Sequence, residues 1–270
     1  MSRFISAVLL TLFFASSVWG DDNLFNSLTA IKNEARRFGE EAVQVVATPV
    51  DTEDYGLLRT LATAGAVGLT YVYDGNIRNK VQRIKSKNLD KAADAGDILG
   101  NPFLHMGVAA AVYTGAIIAD SPKYKELGEM LGESVLLADA TTFVLKQAIG
   151  RGRPFAVNDK GSFRPFQFKT DYDSMPSMHT SSSFAMASVL AATSENFFAK
   201  LSYYAAATFV GFSRIYQDKH WASDVILGAA VGELCGRVVT RYHVEHAGTQ
   251  LTVAPMVTGN SVSLALLGRW

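Results

Sequence analysis

The sequence predicts an all-α protein: a helical bundle of about six core helices, preceded by an amphipathic helix and followed by a short C-terminal β-hairpin. Three observations predict it. Six apolar, Ala- and Gly-rich stretches, at 57–73, 104–119, 127–149, 182–192, 201–215 and 225–239, lack the alternation of β-branched and polar residues that marks strands. Turn-forming runs separate them, such as Asp74-Gly75-Asn76, Gly100-Asn101-Pro102 and Ser121-Pro122. Period-two spacing is confined to the tail. With 270 residues, 49% of them apolar, the chain can bury a sizeable core in one domain.

Taken in order, residues 1–20 read as a signal peptide, with Arg3 as a basic start, an apolar stretch at 5–15 and small residues at 16–20 before Asp21-Asp22. An uncleaved anchor is the competing reading, against which stands a stretch shorter than the ~20 residues of a spanning helix. Either way the bulk of the chain is expected to be exported, to the periplasm or the cell envelope. Residues 21–56 form an N-terminal helical segment, with Leu24, Leu28, Ile31, Ala35 and Phe38 at helical spacing. The helical domain occupies 57–247. Its 151–174 connection exceeds the usual ~15 residues and is expected to fold over a site. In the tail, 248–270, Leu251 and Val253 alternate before Thr258-Gly259-Asn260-Ser261, and Val262, Leu264 and Leu266 after it. Pro255 makes its strand an edge, whose partner is unknown.

Each apolar stretch is under ~18 residues or carries a charge such as Arg59 or Glu233, and the mean hydropathy is +0.13. A globular or membrane-peripheral domain is therefore expected, with contact at a membrane surface as a possible partner role. Lys plus Arg equals Asp plus Glu, 25 of each, so no global field recruits nucleic acid, and cationic function must be local. The cluster Arg78, Lys80, Arg83, Lys85, Lys87 and Lys91 reads as a solvated face, with contact to anionic headgroups as the alternative. Cys235 is the single cysteine, so no intrachain disulfide forms and it reads as a buried hydrophobe. His243 and His246 lack a convincing third ligand and read as surface residues; no metal site is expected.

Three runs carry chemistry. Lys146 precedes Arg153-Pro154 by seven positions, with Gly150 and Gly152 letting the backbone turn so that both cations can face one pocket. Pro176-Ser177-Met178-His179 reads as a helix start, where free N–H groups and the positive end of the dipole favour an anion. Ser213-Arg214 closes one helix, and His220 with Asp224 one turn on opens the next; a carboxylate on one ring nitrogen raises the basicity of the other. Together they supply cations for phosphoryl oxygens, a nucleophile and an acid. Singly, each would be surface charge or a structural histidine.

In that order and spacing, the runs resemble the type 2 phosphatidic acid phosphatase and vanadium haloperoxidase superfamily, over roughly residues 74–239. The resemblance implies an all-α bundle with its site at the ends of central helices. It implies that His220 attacks phosphorus to give a phosphohistidine, that Asp224 orients it, and that His179 protonates the leaving oxygen and then activates water. Lys146, Arg153, Arg214, Ser177 and the backbone near Met178 would hold the phosphoryl oxygens, and hydrolysis would need no metal or other cofactor. Met178 stands where the family usually has glycine, which puts substrate access in doubt. The expected substrate is a phosphorylated lipid or a small phosphate ester. A soluble broad-specificity acid phosphatase is the alternative. Vanadate is expected as an inhibitor, or as the cofactor of a haloperoxidase. A non-enzymatic envelope binding protein is the remaining class, against which stands the retention of every cation and both histidines.

Overall fold

Why the central helices can lie so close together is written in one face of the last of them. The structure, a computed structural model, describes residues 24–52 and 55–246, with side chains from 32 onward, and the backbone alone of 251–258 and 261–268. The expected signal peptide lies outside the described residues. Helices α1 (Leu24–Ala47), α2 (Gly56–Arg83), α3 (Lys87–Leu99), α4 (Pro102–Ile118), α5 (Pro122–Ile149), the single turn α6 (Pro154–Val157), α7 (Met178–Ala192), α8 (Phe197–Tyr216) and α9 (Ala222–His246) follow in order. In the middle of the bundle α9 packs on α7, α5, α2 and α1, while α7 packs on α5 and α8. Gly228, Gly232 and Gly236, four residues apart, line the α9 face toward α7. A Cβ on Gly232 would sit 2.1 Å from the Ser181 carbonyl oxygen, and one on Gly228 2.6 Å from that of Ser177. Absent side chains therefore set the spacing, and the start of α7 is drawn against the start of α9. Leu131, Ala138, Ala185, Val189, Val231, Cys235 and Val239 fill the core around this contact.

Helix ends follow local chemistry. Ser86 caps α3 by accepting from Leu89 N, Asn101 caps α4 through Phe103 N at 2.8 Å, and Asn196 caps α8 through Ala199 N at 3.1 Å. Pro102 and Pro122 occupy first-turn positions where a missing N–H costs nothing. Gly150, at φ 59°, closes α5 in the left-handed conformation that a glycine takes without strain.

Four local expectations are corrected. Helix α2 runs straight through Asp74-Gly75-Asn76 because Asp74 faces inward and is buried, accepting hydrogen bonds from Arg151 and Ser223, so tertiary contacts override the turn signal. Helix α3 was not expected; its first turns carry Lys87 and Lys91 of the basic cluster, where charge masked its pattern. In α1 the core face is Phe38, Ala42 and Val45, whereas Ala35 is exposed. Arg78, read as part of a solvated face, instead donates to Asp218 at 2.6 and 2.7 Å and lies over the Trp221 ring.

Large apolar side chains stand exposed on α2 (Leu58, Leu61, Leu69), α4 (Phe103, Ile118) and α8 (Phe197, Phe198). No single helix among the described residues is long and apolar enough to cross a membrane; α3 and α4, bent by 54°, pass that test only as a pair. The hairpin expected over 248–270 falls where no side chain is described.

Candidate active site

Helix α5 ends in Lys146, buried, whose ammonium donates to the carbonyl of Asp173. Beyond Gly150 the chain turns back, and Arg153 Nε donates to Asp173 Oδ1 at 2.6 Å and to the Thr170 carbonyl at 3.0 Å. The 151–174 connection thus lies beside the site, its far end clamped by two of the predicted cations. The next residue fixes the nucleophile candidate. His220 Nδ1 lies 2.7 Å from the Ser174 carbonyl oxygen, which can only accept, so Nδ1 carries the proton and Nε2 is left with its lone pair.

Asp224 stands 3.6 Å from His220 Nδ1, beyond hydrogen-bond range. Its oxygens accept instead from Ser174 Oγ at 2.5 Å, Trp221 N at 2.9 Å and Arg151 at 2.6 Å. The carboxylate therefore orients the ring through Ser174, the residue whose carbonyl holds it, where the sequence suggested a direct contact. Ser177 occupies the N-cap position of α7 without a side-chain capping bond and donates its N–H to the Asp224 carbonyl at 3.0 Å, which ties the two helix starts together. Met178 opens α7 with a negative φ, so the backbone there has no need of glycine.

Arg214, in the last turn of α8, is buried and pairs with Asp97. Its Nε has no hydrogen-bond partner among the described residues, a buried donor of the kind an oxyanion would satisfy. His179 Nε2 lies 3.1 Å from Asp97 Oδ1, and Lys219 Nζ 3.8 Å from Asp97 Oδ2. Asp97 therefore contacts the cation and the histidine that a phosphoryl group would approach.

Burial and the surrounding cations act in one direction on both imidazoles. Burial, then Lys146, Arg153 and Arg214, holds His220 well below the usual histidine range. Burial and Arg214 push His179 down to about 4 despite Asp97. Both rings are neutral at pH 7. Burial, partly offset by Asp173, lowers Lys146 to about 8, so its ammonium is retained at neutral pH. The structure thus brings Lys146, Arg153, Arg214, His179 and His220 into one mutually interacting cluster, with Ser177, Met178 and Asp224 at its two helix starts.

Several participants were not found from sequence. Arg151 is fully buried, donating to Asp74 at 2.7 Å, Ser223 at 2.7 Å and Asp224, with its guanidinium 4.9 Å from the Tyr71 ring centre and 5.4 Å from that of Trp221. Asp97 and Ser174 were missed as well. The only signal for Arg151 was its place in Arg-Gly-Arg-Pro, beside the arginine that drew attention.

The PAP2 superfamily model matches residues 130–247, the stretch that contains all three runs. Over this stretch, less than half of its length, the chain is similar to the PAP2 superfamily. Among curated proteins, this chain is similar to lipid A 1-phosphatase of Rhizobium etli, at 32% identity over 108 residues, 39% of this chain and 46% of that protein. It is also similar to lipid A 1-phosphatase of Porphyromonas gingivalis, at 44% over 71 residues, 26% of this chain and 16% of that one. The matches span less than half the length of these relatives. Among solved structures, the fold is similar to that of Aquifex aeolicus LpxE, at TM-score 0.50 and 23% identity, covering 62% of this chain and 94% of that one. It is similar too to that of a transmembrane PAP2 type phosphatidylglycerolphosphate phosphatase of Bacillus subtilis, at TM-score 0.53 and 20% identity, covering 73% and 96%.

Proposed function

We propose that this protein is a phosphatase that hydrolyses a phosphate monoester or pyrophosphate of a lipid through a phosphohistidine on His220. One observation carries the reading: a neutral, Nδ1-protonated His220 lies beside three cations, one of which, Arg214, keeps a buried donor without a partner. In the proposed sequence, Lys146, Arg153, Arg214 and the amides at the start of α7 bind the phosphoryl oxygens. The lone pair of His220 Nε2 forms a bond to phosphorus as the bond to the lipid oxygen breaks, and His179 gives that oxygen its proton. His179 then takes a proton from water; the oxygen attacks phosphorus, the P–N bond breaks, and phosphate leaves. The negative charge of the bound phosphoryl group offsets the neighbouring cations, raising His179 from about 4 so that it can hold the proton it delivers.

Exposed Phe155, Phe166 and Phe168 on the 151–174 connection, together with the apolar faces of α2, α4 and α8, favour a lipid over a water-soluble ester and a membrane-associated enzyme of the cell envelope. The lipid A 1-phosphatase relatives put a lipid A phosphate at the head of the substrate panel. Antiparallel backbone pairing of Leu251–Thr258 with Ser261–Gly268 supports a C-terminal hairpin as part of the same reading. Turnover through the histidine needs no metal in this scheme. The test is phosphate release by the purified protein from lipid phosphates and soluble esters, with chelator present and His220→Ala as control. Chelator-resistant release that His220→Ala abolishes is expected. Release only from soluble esters would overturn the lipid assignment, and no release from any substrate the phosphatase.

A further inference from the structure

Far from the phosphate site, α1, α5 and α9 converge on Glu41, Glu133 and His243, all buried. This corrects the surface reading of His243. One ligand atom from each lies within 4.8 Å of the others, with His243 Nε2 2.7 Å from Glu133 Oε2 and 3.9 Å from Glu41 Oε1. Ligand atoms on one zinc ion, bound at about 2.0–2.2 Å, can be no more than ~4.3 Å apart. The trio therefore needs only small side-chain adjustments to share an ion.

An acidic cluster alone would carry little weight, and Glu41 supplies the independent observation. Its side chain is 0% exposed, and neither carboxylate oxygen accepts a hydrogen bond among the described residues. A buried carboxylate so placed costs several kcal/mol unless a proton or a cation joins it. The neighbouring cation is already engaged: Arg37 donates to Glu133 Oε1 and pairs with Glu34 and Glu129. On the other side of the imidazole, Glu126 Oε1 lies 3.6 Å from His243 Nδ1, beyond hydrogen-bond range but on the side from which a carboxylate orients a metal-binding ring.

We propose that Glu41, Glu133 and His243 bind one divalent transition-metal ion, zinc foremost, as a structural clasp joining α1 to the bundle. Two carboxylates and an imidazole are borderline donors that suit zinc better than calcium or magnesium, which take oxygen ligands. The site plays no part in phosphate release and stands whether or not the phosphatase reading does.

The test uses the full chain, stripped with chelator, dialysed and titrated with zinc chloride, read by calorimetry and by metal analysis after gel filtration. One equivalent of zinc per chain and a raised melting temperature are expected in the wild type. Affinity should fall at least tenfold in Glu41→Gln and in His243→Ala. Glu41→Gln keeps the side-chain shape and removes a buried charge, so it is expected to fold even if His243→Ala does not; circular dichroism of the apo forms checks this. Zinc binding with unchanged affinity in Glu41→Gln would overturn the site. So would a wild type that takes up no zinc while Glu41→Gln is simply more stable, which would mean that a proton occupies the place assigned to the ion.

Discussion

Helices α5 and α9 each carry one kind of polar cluster near one end and its opposite farther along. Lys146 and the His220–Asp224 turn stand among cations; Glu133 on α5 and His243 on α9 stand among carboxylates. The two clusters are separated by ~20 Å along α5 and ~29 Å along α9, at 1.5 Å per residue. At the cationic end the excess charge lies beside the partly exposed His179 and Asp97, and burial together with that charge keeps both histidines neutral. At the acidic end the excess is sealed inside. Surplus charge beside an entrance reads as a site for a passing substrate; surplus charge fully buried calls for a permanent counter-ion or a proton.

The comparison can be broken most sharply by activity. His220→Ala should lower phosphate release by at least about 10³-fold, whereas Glu41→Gln should leave it within a few-fold. Equal losses in a steady-state assay on the best lipid substrate would mean that the two ends are not separable. Next in size is Arg151→Met, which strands buried Asp74 and Asp224 without their cation. A loss of about 3–5 kcal/mol is expected in urea unfolding, together with lower kcat.

Gly232→Ala pushes a methyl into the Ser181 carbonyl and should cost about 1–3 kcal/mol. It should also lower kcat by parting the helices that bring His179 and His220 together, so a stability loss with kcat unchanged would count against that coupling. The pH profile sharpens the electrostatic side. Lys146 is held below its ordinary value, so the free enzyme keeps the ammonium below about pH 8 and loses it above. Hence kcat/KM should fall as pH rises through about 8, and Lys146→Arg, charged throughout, should remove that limb whatever its effect on the plateau. The smallest effect is a control: Gly65→Ala on the open face of α2, with nothing within 4 Å of the new methyl, should stabilise by about 0.5–1 kcal/mol and leave kcat alone.

What could be read in advance was whatever is encoded over short spans of chain. The apolar stretches located six core helices, and the runs around Lys146, His179 and His220 marked the candidate site because each packs its chemistry into a dozen positions or fewer. Contacts between distant residues were not legible. Arg151 meets Asp74 across 77 positions and Asp224 across 73, and His243 meets Glu133 across 110. Asp74 even misled, because Asp-Gly-Asn is turn chemistry unless a buried guanidinium claims the aspartate. The role of Asp224 was half legible: one helical turn places it near His220, but only the fold shows that Ser174 stands between them.

The 151–174 connection holds three of these elements by its last residues. Asp173 restrains Lys146 through its carbonyl and Arg153 through its carboxylate, and Ser174 fixes the proton on His220. A segment with that many duties works as a latch: lifting it would release two cations and unlock the imidazole tautomer in a single motion, while every core helix stayed in place. A protease cut at its exposed aromatic tip, near Phe166 and Phe168, is therefore expected to abolish the proposed phosphate release while the melting curve stays almost unchanged.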